Sequence, residues 1–188
     1  MKEGLFIFHG TGGHPGENWF PWLKQELAKE GYDATIPQFP TPEGQSLEAW
    51  LKVLKEYESS IQGNTVLIGH SLGGLFLLRL LERLKEPVKA VFLVSAPIGV
   101  KPIKNWGGDY AFSDGFNFDW EAIKSNAGTS TVYHSDNDPY VSLGNGEELA
   151  RQLGIELTFI PDSGHFNASA GYTKFERLLG EVNRVLEI

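Results

Sequence analysis

A single serine near the middle of the chain stands inside the pattern G-x-S-x-G. The stretch TVLIGHSLGG covers residues 65–74, so Gly69 and Gly73 flank Ser71 at the end of an apolar run. One interpretation is a strand that ends at Gly69 and a helix that begins near Leu72, with Ser71 as an ordinary cap. The other is a strained strand–turn–helix elbow that presents the Ser71 hydroxyl, with glycines where neighbouring backbones approach closely. The pattern also arises by chance, so partner residues must decide between the two.

A serine nucleophile needs a base and a carboxylate, and both residue types occur later in the chain. A serine hydroxyl is weakly nucleophilic at neutral pH, so a base must take its proton as the oxygen attacks an acyl carbon. His165 in SGHF is the candidate base, and Asp138 in DNDPYV is the candidate carboxylate that orients it. Asp136 and Asp162 are the competing acids.

Short apolar runs alternate with amphipathic stretches along the whole chain. Continuous apolarity predicts strands that are covered on both faces, as in a parallel sheet. The alternation predicts a single α/β domain over residues 1–188, with three α/β/α layers and right-handed crossovers. The predicted strands are 5–8, 33–36, 65–68, 90–94, 130–133 and 156–160, and the predicted helices are about 18–30, 46–61, 72–85, 119–126, 145–153 and 171–187.

The candidate residues follow three different strands. Ser71 comes after the third predicted strand, Asp138 after the fifth and His165 after the sixth. The carboxyl ends of parallel strands meet at one edge of the sheet, where ligands bind. This joint placement favours the elbow interpretation of Ser71 over the cap.

Residues 95–118 are rich in Gly, Pro and aromatic side chains and show neither helical nor strand periodicity. A long irregular segment in a compact domain is typical of a lid or a binding loop. Trp106, Tyr110, Phe112 and Phe116 could line an apolar acyl pocket, with Trp106 and Phe112 as the candidate substrate-binding residues. Simple packing of the segment on the sheet is the alternative.

Composition limits the class of function. With 188 residues, of which 41% are hydrophobic, the chain can bury the core of one domain. A net charge of -8 without a dense Lys/Arg cluster argues against binding to nucleic acid or to an anionic membrane. The chain has no cysteine, which removes disulfides and thiolate chemistry and is compatible with a reducing cytosol. There is no signal segment and no run of ~18 apolar residues, so we expect a cytoplasmic protein.

The loop HGTGG after the first predicted strand has competing interpretations. GTGGHPG loosely fits a dinucleotide-binding pattern, but Pro15 interrupts it and Asp33 precedes the second strand instead of ending it. A Walker A loop fails because no Lys-Ser/Thr follows the last glycine. His9 and His14 lack a third ligand nearby. We therefore expect neither a cofactor nor a metal.

With these residues in view, the chain resembles the α/β-hydrolase superfamily, and within it the small serine hydrolases of the retinoblastoma-binding serine hydrolase and YdeN-like family. The likeness covers nearly the whole chain. It is carried by HG followed by NWFPWLK at 18–24, by GHSLGG at 69–74, and by DNDPYV with SGHF near the end. The resemblance implies a minimal α/β-hydrolase fold with a mostly parallel six-stranded sheet in the order 2-1-3-4-5-6.

The resemblance also implies the roles of the acid and of the oxyanion loop. D-x-x-V at 138–141 resembles the family's acid loop, which favours Asp138 over Asp136. The oxyanion would accept the backbone N–H of Leu72, at the positive end of its helix. By resemblance the second donor is the Thr11 N–H, with that of Gly12 the neighbouring possibility, and the glycines of this loop, Gly10 and Gly12, would let substrate approach the main chain.

The implied activity is that of a carboxylesterase-like serine hydrolase that cleaves small acyl esters through an acyl-enzyme and needs no cofactor. Two other functions remain open: a non-catalytic protein-binding module on the same fold, and an acyltransferase or perhydrolase that uses the same serine. One member of the family binds a retinoblastoma-type protein through an L-x-C-x-E sequence. Because this chain has no cysteine, that partner is not expected, and the sequence identifies no other protein partner.

Overall fold

A computed structural model describes residues 4–104, 108 and 112–187 of the chain. In this part, six strands form one sheet in the order β2-β1-β3-β4-β5-β6, and every neighbouring pair is parallel. The predicted strand order and fold class are therefore confirmed. The strands are β1 (Leu5–Phe8), β2 (Ala34–Thr35), β3 (Val66–His70), β4 (Ala90–Val94), β5 (Thr129–His134) and β6 (Leu157–Phe159).

Three of the helices differ from their predicted bounds by more than three residues, and one of them, predicted over 72–85, ends at Leu81. The predicted helix 46–61 ends as an α-helix at Leu54 and continues as a 3₁₀ turn, Lys55–Ser60. The last helix begins at Glu176 and not at 171, because Gly171 has a left-handed φ of 89° that ends the preceding turn. The helices of the described residues are α1 (Phe20–Lys29), α2 (Leu47–Leu54), α3 (Leu72–Leu81), α4 (Trp120–Asn126), α5 (Leu143–Leu153) and α6 (Glu176–Leu186). None of these helices combines the length and apolarity that crossing a membrane would take.

The core lies on both faces of the sheet. In β1, Phe6 and Phe8 join the cluster under α2, α3, α4 and α5, whereas Leu5 and Ile7 join the cluster under α1 and α6. Side chains alternate between the faces of a strand, and both faces are covered, which explains the continuous apolar runs. Each fully buried large apolar side chain contributes about 1.5–3 kcal/mol, so this two-sided core holds the sheet edge that carries the site.

The irregular segment after β4 is anchored at its described ends. The Asn145 side chain of α5 accepts the N–H groups of Ile98 and Val100 at 2.9 and 3.0 Å. Farther along, the buried Arg79 of α3 donates to the Ser113 carbonyl. Both ends of the segment are thus tied to helices on one face of the sheet.

Candidate active site

Ser71 forms the turn between β3 and α3 in a conformation that side chains rarely adopt. Its φ is 55° and its ψ is -123°, a region that costs energy for any residue with a Cβ. The Ser71 N–H donates to the Val94 carbonyl at 2.8 Å, and the Ser71 carbonyl accepts the Gly74 N–H at 2.9 Å. The surrounding backbone therefore holds the strained turn that the G-x-S-x-G pattern predicts.

The glycines around Ser71 are required by close approach of backbones. A Cβ on Gly69 would lie 2.6 Å from the Gly73 carbonyl oxygen, and a Cβ on Gly73 would overlap the carbonyl oxygen of Phe8. A Cβ on Gly74 would lie 2.6 Å from the Cβ of Ala96. Real Cβ atoms do not approach other atoms this closely, so the elbow and its neighbouring strands admit only glycine at these positions.

Asp138 and His165 are joined by a short hydrogen bond. Nδ1 of His165 lies 2.7 Å from Oδ2 of Asp138, and the Asp138 side chain is fully buried. The other oxygen of Asp138 accepts the N–H groups of Tyr140 and Val141 at 2.9 and 3.0 Å. Burial by itself would raise the pKa of Asp138, but the hydrogen bond and charge of His165, together with these N–H groups, hold that pKa below its ordinary value. The carboxylate is therefore ionised at neutral pH and accepts the Nδ1–H of His165.

The loop that follows β5 also holds the loop that carries His165. Three consecutive side chains of the first loop each accept a backbone N–H from the second: Ser135 from Ser163 at 2.9 Å, Asp136 from Asp162 at 3.0 Å, and Asn137 from Gly164 at 2.7 Å. Asp136 thus engages the main chain of the histidine loop, while Asp138 engages the histidine ring.

Ser71 and His165 line the same cleft, of about 250 Å³, at the carboxyl edge of the sheet. The ring of Tyr140 stands edge-on to His165, with ring centres 4.9 Å apart, and the Lys104 ammonium lies 5.2 Å from the centre of the Tyr140 ring. The cleft is lined by Gly10, Thr11, Glu17, Asn18, His70, Ser71, Lys104, Tyr140, Val141, His165 and Asn167.

Sequence reasoning assigned no role in the site to seven of these lining residues, namely Glu17, Asn18, His70, Lys104, Tyr140, Val141 and Asn167. Asn18 and Tyr140 belong to the motifs NWFPWLK and DNDPYV, which is a signal that could have found them. Burial raises the pKa of Glu17 above its ordinary value. Glu17 and Lys104 thus add one acidic and one basic side chain to the cleft, and neither residue belongs to a motif that the sequence analysis used.

The residues expected to supply oxyanion donors, Leu72 and Thr11, lie next to Ser71 in the chain and on the wall of the cleft, respectively. Leu72 is the first residue of α3, so its N–H has no acceptor within the helix. Thr11 lines the cleft. The Gly12 N–H, the neighbouring possibility, instead donates to the Thr41 hydroxyl oxygen at 2.8 Å. Of the two residues considered for the second donor, Gly12 thus has its N–H engaged elsewhere, whereas Thr11 lies on the wall of the cleft.

The aromatic residues expected in an acyl pocket lie elsewhere or outside the described residues. Phe112 is only 2% exposed and packs against Trp50 and Phe76, with ring centres 5.1 and 6.1 Å apart. It belongs to the core and not to the cleft, because these rings offer it complete burial. Trp106 and Tyr110 fall outside the described residues. The described wall of the cleft is consequently more polar than the sequence suggested.

A larger groove, of about 580 Å³, lies away from Ser71. It runs between α2 and α3 near the amino ends of β3 and β4, and its lining is aliphatic and charged, with Leu51, Leu80 and Leu84 among the members. No group of three or more His, Cys, Asp and Glu side chains in the described part of the chain is placed to hold a metal ion. The candidate site is thus marked by Ser71 and His165, and not by the size of its cavity.

The parallel sheet and the nucleophile elbow define the class of the α/β-hydrolases. The sequence model of the serine hydrolase family matches residues 5–184. The chain is 33% identical over 175 residues to YdeN of Bacillus subtilis, covering 92% of this chain and 90% of that protein. It is 28% identical over 179 residues to the serine hydrolase RBBP9 of Rattus norvegicus, covering 95% and 91%. The chain therefore belongs to the serine hydrolase family.

The solved structure of the ydeN gene product of Bacillus subtilis agrees with this assignment. It matches this fold with a TM-score of 0.91 at 30% sequence identity, over 100% of both chains. The protein is thus a YdeN- and RBBP9-like serine hydrolase with the α/β-hydrolase fold, as the sequence resemblance implied.

Proposed function

We propose that the protein hydrolyses small acyl esters through an acyl-enzyme on Ser71. One observation carries the proposal: His165 donates its Nδ1–H to Asp138 at 2.7 Å and lines the same cleft as Ser71. An imidazole held in this tautomer keeps a lone pair on Nε2, which can take a proton. The arrangement supports a Ser71–His165–Asp138 triad.

The reaction has two halves that use the same groups. The Ser71 oxygen attacks the acyl carbon while Nε2 of His165 takes the hydroxyl proton, and the resulting oxyanion accepts the N–H groups of Leu72 and Thr11. The ester C–O bond then breaks, and the leaving alkoxide takes the proton from His165. In the second half, water attacks the acyl-enzyme, its proton passes through His165 to Ser71, and the carboxylic acid leaves.

The dimensions of the cleft support a short acyl group. Its volume of about 250 Å³ is small, and much of its described wall is polar. Glu17 and Lys104 contribute opposite charges, which suits a substrate without a large net charge. We expect kcat/KM for p-nitrophenyl acetate or butyrate to exceed that for the octanoate by about tenfold or more, since a chain that cannot enter loses its binding energy.

The first experiment is labelling with a fluorophosphonate probe, followed by kinetics with the p-nitrophenyl ester series. Wild type and Ser59→Ala, which alters an exposed serine in the 3₁₀ turn after α2, should both be labelled. Ser71→Ala and His165→Ala should lose labelling and lower kcat by roughly 10³-fold or more while remaining folded. Undiminished labelling of folded Ser71→Ala, or a folded wild type that neither labels nor turns over any ester, would contradict the proposal.

A further inference from the structure

Two buried ring N–H groups donate to two successive carbonyls at the candidate base. Nε2 of His70 lies 2.8 Å from the His165 carbonyl oxygen, and Nε1–H of Trp19 donates to the Phe166 carbonyl at 3.0 Å. Both rings are buried, and they contact each other edge to face with centres 6.3 Å apart. We propose that this pair, the ring clamp, positions His165 for proton transfer from Ser71, an inference that rests on the proposed function.

The backbone held by the ring clamp is strained. Phe166 has a φ of 49°, which is unfavourable for an aromatic residue, and Asp162 in the same loop has a φ of 55°. Such conformations cost of order 1–3 kcal/mol each and persist only where neighbouring contacts enforce them. Loss of the clamp would let this backbone relax and carry the His165 ring away from Ser71.

His70 is suited to this task because its ring stays neutral. Burial, reinforced by the charge of nearby His165, lowers the pKa of His70 to about 3. The neutral ring therefore bears one proton, and the hydrogen bond to the His165 carbonyl places it on Nε2, because a carbonyl only accepts. Nδ1 is buried and has no hydrogen-bond partner among the described residues. The centre of the ring lies 4.8 Å from that of His165, so a neutral side chain here avoids repelling a protonated His165.

The ring clamp also links the motifs of the sequence. Trp19 belongs to NWFPWLK and His70 to GHSLGG, and both contact the loop that contains SGHF. Asn18, the residue before Trp19, accepts the Ala168 N–H of the same loop at 2.9 Å. The motif after β1 and the residue before the nucleophile thus converge on the backbone of the candidate base.

Two substitutions remove the donors and two serve as matched controls. His70→Met removes the ring N–H, whereas His70→Gln keeps an amide N–H at a similar reach. Trp19→Phe removes the indole N–H but keeps an aromatic ring. Trp50→Phe is its control, because Trp50 donates its own indole N–H to the Pro40 carbonyl at 2.9 Å in the other core cluster.

We expect His70→Met and Trp19→Phe to lower kcat for p-nitrophenyl acetate by ~10- to 100-fold, since small displacements of a catalytic group have effects of this size. KM should stay within about threefold, because both ring N–H groups are engaged by backbone carbonyls of the His165 loop. His70→Gln and Trp50→Phe should retain kcat within about threefold, and thermal unfolding of every variant separates stability from rate.

The inference is overturned if folded His70→Met and Trp19→Phe keep a kcat no lower than that of Trp50→Phe. Should both variants fail to fold, the ¹⁵N chemical shifts of wild-type His70 decide: a proton on Nε2 supports the clamp, and a proton on Nδ1 overturns it. Ser71→Ala is measured in parallel. Retained activity of that variant defeats the proposed function, whereas an active wild type with unimpaired clamp variants defeats only the present inference.

Discussion

At the residue scale, Asp136 and Asp138 show how two carboxylates of one loop take different tasks. Asp138 is buried and accepts the His165 ring N–H, together with two backbone N–H groups. Asp136 is exposed and accepts the backbone N–H of Asp162. An amide oxygen can replace the Asp136 oxygen, which only accepts a backbone N–H. It cannot replace the ionised Asp138 carboxylate, which accepts the imidazole N–H of His165.

Asp138→Asn should therefore lower kcat for p-nitrophenyl acetate by about 10⁴-fold, because an amide can stabilise the wrong imidazole tautomer and carries no charge to balance the imidazolium. Asp136→Asn should remain within about threefold of wild type, since its amide oxygen can still accept the Asp162 N–H. Steady-state kinetics of the two variants test the assignment of the acid. Equal losses in both variants would contradict it.

At the scale of elements, the elbow depends on how closely β3, α3 and the end of β1 approach one another. Gly69 and Gly73 stand where a Cβ would meet a main-chain carbonyl of a neighbouring segment. Gly180 in α6 provides a contrast, because a Cβ there would meet nothing within 4 Å. Glycine is thus required at the junction of β3 and α3 but replaceable in α6.

Gly69→Ala should destabilise the protein by about 3 kcal/mol, since the strand and the helix must separate to admit the methyl group. Gly180→Ala should stabilise it by about 0.5–1 kcal/mol, because alanine loses less backbone entropy in a helix. Urea unfolding followed by circular dichroism measures both changes. A Gly69→Ala protein as stable as wild type would show that the elbow is looser than this packing indicates.

At the scale of the whole molecule, buried histidines tie loops to the carboxyl edge of the sheet. Each ring contacts a loop carbonyl: His9 that of Gly10 at 2.9 Å, His70 that of His165 at 2.8 Å, and His134 that of Val141 at 3.0 Å. Burial lowers the pKa of all three histidines. The folded protein therefore keeps these rings neutral under conditions in which the unfolded chain would protonate them.

This difference predicts that stability falls as the pH is lowered below about 6.5, because the unfolded state then binds more protons. With a folded pKa of about 3 against an ordinary 6.5, His70 alone should contribute about 1.4 kcal/mol per pH unit near pH 5. The pKa of Asp138 is also lowered, so its contribution to stability declines only as the pH falls below the ordinary pKa of 3.8, outside the range near pH 5. Urea unfolding between about pH 7 and 5 should show a shallower slope for His70→Gln, and equal slopes would contradict the neutral state of His70.

Much of the fold could be predicted because its signals are local. Apolar runs found all six strands, and their alternation with amphipathic stretches indicated a parallel sheet with its ligand edge at the strand ends. The bounds of the last helix could not be predicted, since the left-handed turn at Gly171 leaves no mark in hydrophobic periodicity. Phe112 shows a similar limit, because an aromatic residue in an irregular segment can face a cleft or a core with the same local sequence.

Sequence alone was sufficient to predict the strained turn at Ser71, the class of fold and the strand ends at which the candidate base and acid lie, because backbone geometry and side-chain periodicity act over a few residues. Tertiary structure decided which carboxylate meets His165, and that the Trp19 and His70 rings donate to carbonyls 147 and 95 positions away. Such contacts depend on the packing of loops from distant parts of the chain, and no window of the sequence contains both partners.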